Sequence, residues 1–180
     1  MKAYSTQKEA VDEMTRALGM ALANWQSVEM TLFTFYLALC GKTDRKISGA
    51  IYNSMSLETK VTALAALIKV RTSDKKYMQE WDVVQKEFSK QKRLRDKLAH
   101  WSIVQTHPIK EGAFVTSEFV AVLVPPLSDI PRMLKALDDP ANSEALSAES
   151  LLQRSTNEFG SLNAKIDAFR QSLPVNSAAR

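Results

Sequence analysis

Residues 86–101, KEFSKQKRLRDKLAHW, carry the strongest indication of how this chain folds. They follow apolar residues that recur every three or four positions, as one face of a helix does: Tyr77, Trp81, Val84 and Phe88. Extended at that spacing, the apolar stripe reaches Gln91, Arg95 and Leu98, so it becomes polar and then charged. A guanidinium on a core-directed stripe is costly unless a partner neutralises it. The stretch therefore predicts the end of a long helix that directs Arg95 toward the interior.

The composition favours one helical domain. The chain has 180 residues, 45% of them hydrophobic, and it contains only five glycines. This length is enough to bury a core, and scarce glycine with frequent helix formers favours helices. We expect a single domain over residues 1–173 and a disordered tail over residues 174–180.

Charge and cysteine content limit the partners and the compartment. A net charge of +4 permits an acidic partner such as RNA without requiring one. The single cysteine, Cys40, excludes an internal disulfide framework and fits a reducing compartment. The amino terminus has no apolar signal region, and no apolar run is long enough to cross a bilayer. We therefore expect a soluble, cytoplasmic protein without a membrane partner.

Several enzyme classes have no support in the sequence. Two histidines and one cysteine leave no metal-ligand cluster of sensible spacing. There is also no Gly-rich phosphate loop, no GxSxG elbow and no dinucleotide-binding fingerprint. We expect no metal and no cofactor.

The residues up to 101 predict a mainly α protein whose core is an up-and-down antiparallel helical bundle over residues 6–101. The first long helix spans about residues 6–39, and Glu29 interrupts its apolar stripe of Leu18, Leu22, Trp25, Leu32, Tyr36 and Leu39. Gly41 is expected to end this helix. A short helix over residues 44–54 should bury Ile47, Ala50 and Ile51. The next begins after Ser56 as N-cap and buries Leu57, Val61, Leu64 and Ile68. The last helix of the bundle covers about residues 74–100.

The pattern changes after Trp101, where β-branched and aromatic residues predict a small β-hairpin insertion over residues 101–124. Lys110, Glu111 and Gly112 form its expected turn, and Pro125 follows its second strand. C-terminal helices are predicted within residues 129–173, separated by a polar loop over residues 138–150. The final, amphipathic helix could pack on the bundle or on another subunit, through Leu152, Phe159, Leu162, Ile166, Phe169 and Leu173.

Glu29 and Arg95 are charges of opposite sign on the apolar stripes of two helices. If these helices pack face to face, an ion pair between the two residues satisfies both charges. One interpretation is purely structural, since a buried pair fixes the register of the helices. The other interpretation is functional, and it considers Arg95, Asp96 and His100 as parts of one candidate active site.

The segment RLRDKLAHW, with Arg95 and His100 five residues apart, resembles the RxxxxH motif of the HEPN superfamily. Members of this superfamily are all-helical domains, often dimeric, and many are metal-independent ribonucleases. An early helix with Trp25 and Glu29 extends the resemblance, which covers roughly residues 14–105. The hairpin and the terminal helix lie outside the family pattern.

The resemblance implies RNA cleavage in which a 2′-hydroxyl attacks the adjacent phosphate. His100 would act as general base or acid, Arg95 would stabilise the phosphorane charge, and Asp96 would orient the imidazole. Trp25 and Glu29 would support this site. Binding of RNA or phosphate would fall to Lys92, Arg93, Lys97 and Trp101.

On a straight helix Arg95 and His100 point about 140° apart, so one chain cannot direct both at one phosphate. The family solution is a homodimer with a shared cleft, and a monomer should be inactive. The resemblance also implies a defence or toxin–antitoxin setting, with a cognate antitoxin or a nucleotidyltransferase as possible partner.

Simpler interpretations stay open at this point. A histidine at a helix C-terminus is favourable by itself, and a run of basic residues is commonly a solvated helix face. The alternative functions are a non-catalytic dimeric adaptor that binds a protein partner, and a regulator that binds a nucleotide in the same cleft.

Overall fold

The computed structural model describes residues 2–41, 43–110, 113–126, 128–138 and 145–174. The helices in this part of the chain are α1 (Gln7–Cys40), α2 (Arg45–Ser54), α3 (Leu57–Arg71), α4 (Lys75–His100), α5 (Ile130–Asp138) and α6 (Ala148–Ser172). The strands are β1 (Ser102–Thr106), β2 (Ile109–Lys110), β3 (Ala113–Phe114), β4 (Val120–Val124) and β5 (Leu146–Ser147). The prediction of a mainly α fold with a small β insertion and an amphipathic C-terminal helix is confirmed. Among the described helices, none is long and apolar enough to cross a bilayer.

The described chain forms two compact units. The first contains residues 2–25 and 92–158, and the second contains residues 26–91 and 159–174, each with the gaps given above. Helices α1, α4 and α6 contribute residues to both units. The single domain expected over residues 1–173 stays a prediction. The expected turn at Glu111 and Gly112 and the tail beyond residue 174 lie outside the described residues.

An antiparallel sheet with the strand order β1-β4-β5 organises the first unit. The central strand β4 is buried along its whole length. One hydrophobic cluster joins β4 to α5 through Val122, Val124 and Ala136. The amino-terminal segment is tied to the sheet as well, because Tyr4 and Phe119 exchange two backbone hydrogen bonds of 2.8 and 2.9 Å.

Strand β5 and the start of α6 correct the prediction of a polar loop over residues 138–150. Leu146 is buried and lies opposite Leu123, so the segment adds a third strand to the predicted hairpin. Helix α6 then begins at Ala148, and the Ser147 hydroxyl accepts the backbone N–H of Ser150 at 3.2 Å. A two-residue strand is too short to produce an alternating pattern, which explains why the sequence did not indicate it.

Three aromatic rings form the centre of the second unit. Phe35 of α1, Trp81 of α4 and Phe169 of α6 contact one another pairwise, with ring centroids 5.6–5.9 Å apart. All three side chains are at most 5% exposed. The amphipathic face of α6 therefore packs within its own chain, which answers the question that the sequence left open.

The buried column of α1 agrees with the predicted stripe at Trp25, Leu32, Tyr36 and Leu39 and differs from it elsewhere. The buried residues of this helix are Ala10, Met14, Ala17, Ala21, Trp25, Val28, Leu32, Phe35, Tyr36 and Leu39. Leu18, Leu22 and Glu29 are only half-buried, one position along from this column. Because the alanines are small and add little to the apolar pattern, the sequence favoured Leu18 and Leu22 over the buried Ala17 and Ala21. Glu29 consequently does not interrupt the core column, because Val28 occupies that position.

The predicted buried side of α2 is wrong. Ile47 and Ile51 are 61% and 47% exposed, and Ala50 is exposed as well. The buried residues of this helix are instead Ser48, Gly49 and Tyr52.

Aromatic packing explains the orientation of α2. The Tyr52 ring contacts Phe33 and Tyr36 of α1, with centroids 5.2 and 4.9 Å apart. Gly49 faces the Phe33 ring as well, and a Cβ there would lie 3.6 Å from it, at ordinary contact distance. Aromatic contact thus outweighs the burial of two aliphatic side chains.

Two predicted helix boundaries are confirmed. The Ser56 hydroxyl caps α3 by accepting the backbone N–H of Thr59 at 3.2 Å. Gly41 follows the last residue of α1 with φ of +73°, and its N–H donates to the Leu37 carbonyl at 3.2 Å. Glycine adopts this left-handed conformation without the steric cost that a Cβ imposes.

Gly41→Ala is expected to destabilise the fold by about 1–2 kcal/mol, because an L-residue is strained at this φ. The added Cβ would also lie 2.9 Å from Nη2 of Arg71. In thermal unfolding the melting temperature should fall by about 3–6 °C. Gly19→Ala is the matched control, since Gly19 lies inside α1 and an added Cβ would meet no described neighbour within 4 Å beyond the backbone of its own helix. The control should raise stability by about 0.5–1 kcal/mol. If Gly41→Ala raised stability as well, a side chain at position 41 would not be strained.

Candidate functional site

The last turns of α4 belong to the first unit and contain most of the predicted site residues. The helix stays regular to its end at His100, and the N–H of Trp101 still donates to the Lys97 carbonyl at 2.9 Å. Its apolar face continues through Leu94 and Leu98, which are 5% and 1% exposed. The Arg95 side chain is 37% exposed, so it lies at the edge of the buried face and not at its centre.

Asp96 joins two basic side chains of the same helix. Its Oδ2 accepts from Lys92 Nζ at 2.7 Å, and its Oδ1 accepts from Arg95 Nη1 at 3.2 Å. Partial burial disfavours the charged carboxylate, but the hydrogen bonds from Lys92 and Arg95 outweigh it and hold the pKa of Asp96 below its ordinary value of 3.8. Asp96 is therefore ionised at neutral pH, and its carboxylate accepts hydrogen bonds from Lys92 and Arg95. The resemblance implied instead that Asp96 orients the imidazole of His100.

Asp96→Asn should lower stability at neutral pH by less than about 1 kcal/mol, because the three side chains are partly exposed and screened by water. The lowered pKa of Asp96 determines how this stabilisation changes with pH. The ion pairs stabilise the fold above the ordinary pKa, and their contribution disappears as the pH falls through the folded-state pKa. Urea unfolding at pH 7 and at about pH 3 measures this difference. If the difference in unfolding free energy between variant and wild type persists or widens at the acidic pH, the ion pairs of Asp96 do not stabilise the fold.

Arg95 retains unused hydrogen-bonding capacity. One of its terminal nitrogens donates to Asp96, while its Nε is buried and has no hydrogen-bond partner among the described residues. A guanidinium has five N–H donors in a planar fork that matches carboxylate and phosphate oxygens. Because the Arg95 side chain is 37% exposed, an anion can approach its terminal nitrogens, whereas the buried Nε is out of reach.

His100 is exposed at the C-terminal end of α4. Because the helix is regular, its imidazole and the Arg95 guanidinium point about 140° apart, as expected from the sequence. One chain therefore does not aim both groups at a single phosphate. A site of this type needs a second copy of the chain.

The other predicted residues have different environments. Lys97 Nζ lies 5.6 Å from the ring centroid of the half-buried Trp101, so this pair offers a cation beside an aromatic ring. Arg93 is exposed on the same helix. Trp25 is 2% exposed and cannot contact RNA directly. Glu29 is half-buried in the second unit, and its ion pair with Arg95 stays a prediction.

Sequence reasoning missed the bond between Lys92 and Asp96, although the signal was present. The two residues are four positions apart on a helix, which is the spacing of neighbouring side chains. Within the described part of the chain, no group of three or more histidine, cysteine or acidic residues is placed to hold a metal ion.

Comparisons of this chain with models of protein families, with curated proteins and with solved structures gave no match. Membership of the HEPN superfamily therefore stays a prediction, made from the RxxxxH motif and its position on a helix.

Proposed function

We propose that this protein is a metal-independent endoribonuclease that acts as a homodimer, with Arg95 and His100 at a shared cleft. One observation supports the proposal above others. An exposed imidazole and a partly exposed guanidinium lie on the last turns of one helix, five residues apart. Lys92, Arg93 and Lys97 add positive charge beside them, as a phosphate backbone requires.

In the proposed reaction, a base removes the proton of the 2′-hydroxyl and the resulting oxygen attacks the adjacent phosphorus. The bond from phosphorus to the 5′-oxygen of the next nucleotide breaks, and that oxygen takes up a proton. The products are a 2′,3′-cyclic phosphate and a 5′-hydroxyl. His100 provides the proton transfer as base or acid, and Arg95 stabilises the negative charge on the phosphorane oxygens.

The divergence of the two side chains supports a dimer in which Arg95 and His100 of one site come from different subunits. Arg95 of one copy would act on the same phosphate as His100 of the other, so each dimer would contain two equivalent pairs. We place the protein in the cytoplasm, with RNA as substrate. In a defence or toxin–antitoxin setting, a cognate antitoxin or a nucleotidyltransferase would be its partner.

A specific observation favours a second candidate function, a non-catalytic dimeric adaptor. Asp96 is bonded to Lys92 and Arg95, so this carboxylate does not orient the imidazole of His100. The same donors on Arg95 would also suit a regulator that binds a nucleotide phosphate without cleaving RNA.

A cleavage assay on a panel of single-stranded and structured RNAs, in the presence of EDTA, tests the proposal. The ribonuclease should cleave with 2′,3′-cyclic phosphate ends and should not lose activity to the chelator. An intact RNA panel with a confirmed dimer would favour the adaptor. A rise in melting temperature with added nucleotide, without turnover, would favour the regulator.

A further inference from the structure

The side of α4 that bears His100 carries a row of three residues in the first unit, the α4 row: Arg93, Lys97 and His100. They are four and three positions apart, so they lie within an arc of about 60° on the helix. Arg93 and His100 are exposed, and Lys97 is half-buried. Arg95 points about 160° away from Lys97. An RNA strand that reaches the imidazole of His100 therefore passes Arg93 and Lys97 of the same chain.

Trp101 lies directly beyond the α4 row. Its N–H donates to the Lys97 carbonyl at 2.9 Å, so the backbone keeps the helical hydrogen-bond spacing for one more residue. The Lys97 ammonium lies over the indole, with Nζ 5.6 Å from the ring centroid. The half-buried indole is thus next to the cations of the row and follows the exposed His100 in the chain.

Trp101 is also the tryptophan with the most accessible surface. Of the three tryptophans in the chain, Trp25 and Trp81 are 2% and 1% exposed, whereas Trp101 is half-buried. A row of cations alone is commonly a solvated helix face. Cations beside an accessible aromatic ring are the combination that holds a single strand of nucleic acid, with phosphates on the cations and a base on the ring.

A base can replace the Lys97 ammonium over the indole. Stacking of a base on an aromatic ring is stronger than a cation–π contact at an exposed site. Lysine has a flexible four-carbon stem, so the ammonium of Lys97 can turn from the indole to a neighbouring phosphate. In duplex RNA the bases are stacked on one another inside the helix, and only an unpaired base can be turned out onto a protein ring.

We propose that Trp101 is a specificity-determining residue that stacks on an unpaired base of the RNA, beside the phosphate on which His100 acts. Lys97 and Arg93 bind phosphates of the same strand. The protein therefore selects unpaired segments of RNA without selecting one base, since every base has a face that can stack. This inference rests on the proposed function, because it takes RNA as the substrate.

The probe is a fluorescein-labelled 2′-O-methyl RNA of about ten nucleotides, within the range of site sizes for single strands. It has no free 2′-hydroxyl to attack the phosphate, so binding is measured separately from cleavage. Because Trp25 and Trp81 are buried, a change in tryptophan emission with the unlabelled oligonucleotide reports on Trp101. We expect the emission to fall as the single strand binds. The same oligonucleotide annealed to its complement should bind about tenfold more weakly, since it offers no base for stacking.

Trp101→Leu tests the ring itself by fluorescence anisotropy. Leucine keeps an apolar side chain but no ring, so affinity for the single strand should fall by about tenfold. The preference for the single strand over the duplex should fall to within about twofold, which a merely structural role of Trp101 would not cause. Trp101→Phe keeps a ring and should bind within about threefold of wild type. The melting temperatures of both variants are measured to confirm that they fold.

Lys97→Gln tests the phosphate contact. The slope of the logarithm of the binding constant against the logarithm of salt concentration should become shallower by about 0.7, the contribution of one phosphate contact to a single strand. Lys8→Gln is the matched control, because it removes an exposed cation from α1 in the same unit. Its affinity should stay within about twofold of wild type, with an unchanged slope.

Three results would overturn the inference: equal binding of single strand and duplex, unchanged tryptophan emission at saturation, or equal affinity of Trp101→Leu and wild type for the single strand. If any of these holds while wild type cleaves RNA, the ribonuclease proposal stands and Trp101 does not bind the base. If the single strand binds as expected and no RNA is cleaved, the role of Trp101 stands and the ribonuclease proposal fails.

Discussion

His100→Ala is expected to lower the rate of RNA cleavage by a factor of about 10²–10⁴, the usual contribution of a general acid or base. The melting temperature should change by no more than about 2 °C, because the side chain is exposed at the end of α4. Arg95→Ala should reduce the rate by a similar factor, since it removes the donors for the phosphorane charge. Lys76→Ala serves as control, because it removes an exposed cation from the first turns of the same helix. An unchanged rate in His100→Ala would refute a catalytic role for the imidazole.

A mixture of the two inactive variants tests whether the pair forms across the dimer. After subunit exchange, half of the dimers combine one Arg95→Ala chain with one His100→Ala chain. Each mixed dimer keeps one intact pair out of two, so the mixture should recover about a quarter of the wild-type rate. If mixed dimers form and no activity returns, the assignment of Arg95 and His100 to opposite subunits is wrong.

Trp81→Ala is expected to cost about 3–5 kcal/mol of folding free energy, as truncation of a buried aromatic residue does. Trp81 is 1% exposed, and its ring contacts Phe35 and Phe169. These contacts join α4 to α1 and α6, so the cavity left by alanine opens at the meeting point of three helices. The free energy of unfolding is measured by urea titration, monitored through the negative circular dichroism band of helices at about 222 nm.

Trp81→Phe is the matched control for that experiment. The indole Nε1 is buried and has no hydrogen-bond partner among the described residues. Phenylalanine keeps a ring beside Phe35 and removes a buried donor whose desolvation costs about 1–3 kcal/mol. The loss should therefore be well below that of the alanine variant. Equal losses would mean that ring packing at this position does not stabilise the fold.

The long helices were predictable because each repeats apolar residues over many turns and has clear ends. Ser56 and Gly41 marked two boundaries correctly through local chemistry that requires no tertiary information. The orientation of α2 was not predictable from hydrophobicity. It depends on contacts of Tyr52 with Phe33 and Tyr36, which lie on another helix.

The candidate site illustrates a different limit. Asp96 has a basic neighbour four residues before it, Lys92, and an imidazole four residues after it, His100. Both are within reach on a helix, so the spacing alone cannot choose between them. The structure bonds Asp96 to Lys92, and Arg95 completes the cluster. Whether Glu29 forms an ion pair with Arg95 depends on tertiary packing, because the two residues lie on different helices.

The backbone bridge between Tyr4 and Phe119 has a consequence for the order of folding events. Helices α1 and α4 can form from neighbouring residues, whereas this bridge must close a loop of more than a hundred residues. Strand β5 likewise joins β4 only after the intervening segment with α5 has folded back. Contacts between such distant parts of a chain slow the search for the native topology. We therefore expect the sheet to assemble late, on helices that are already formed.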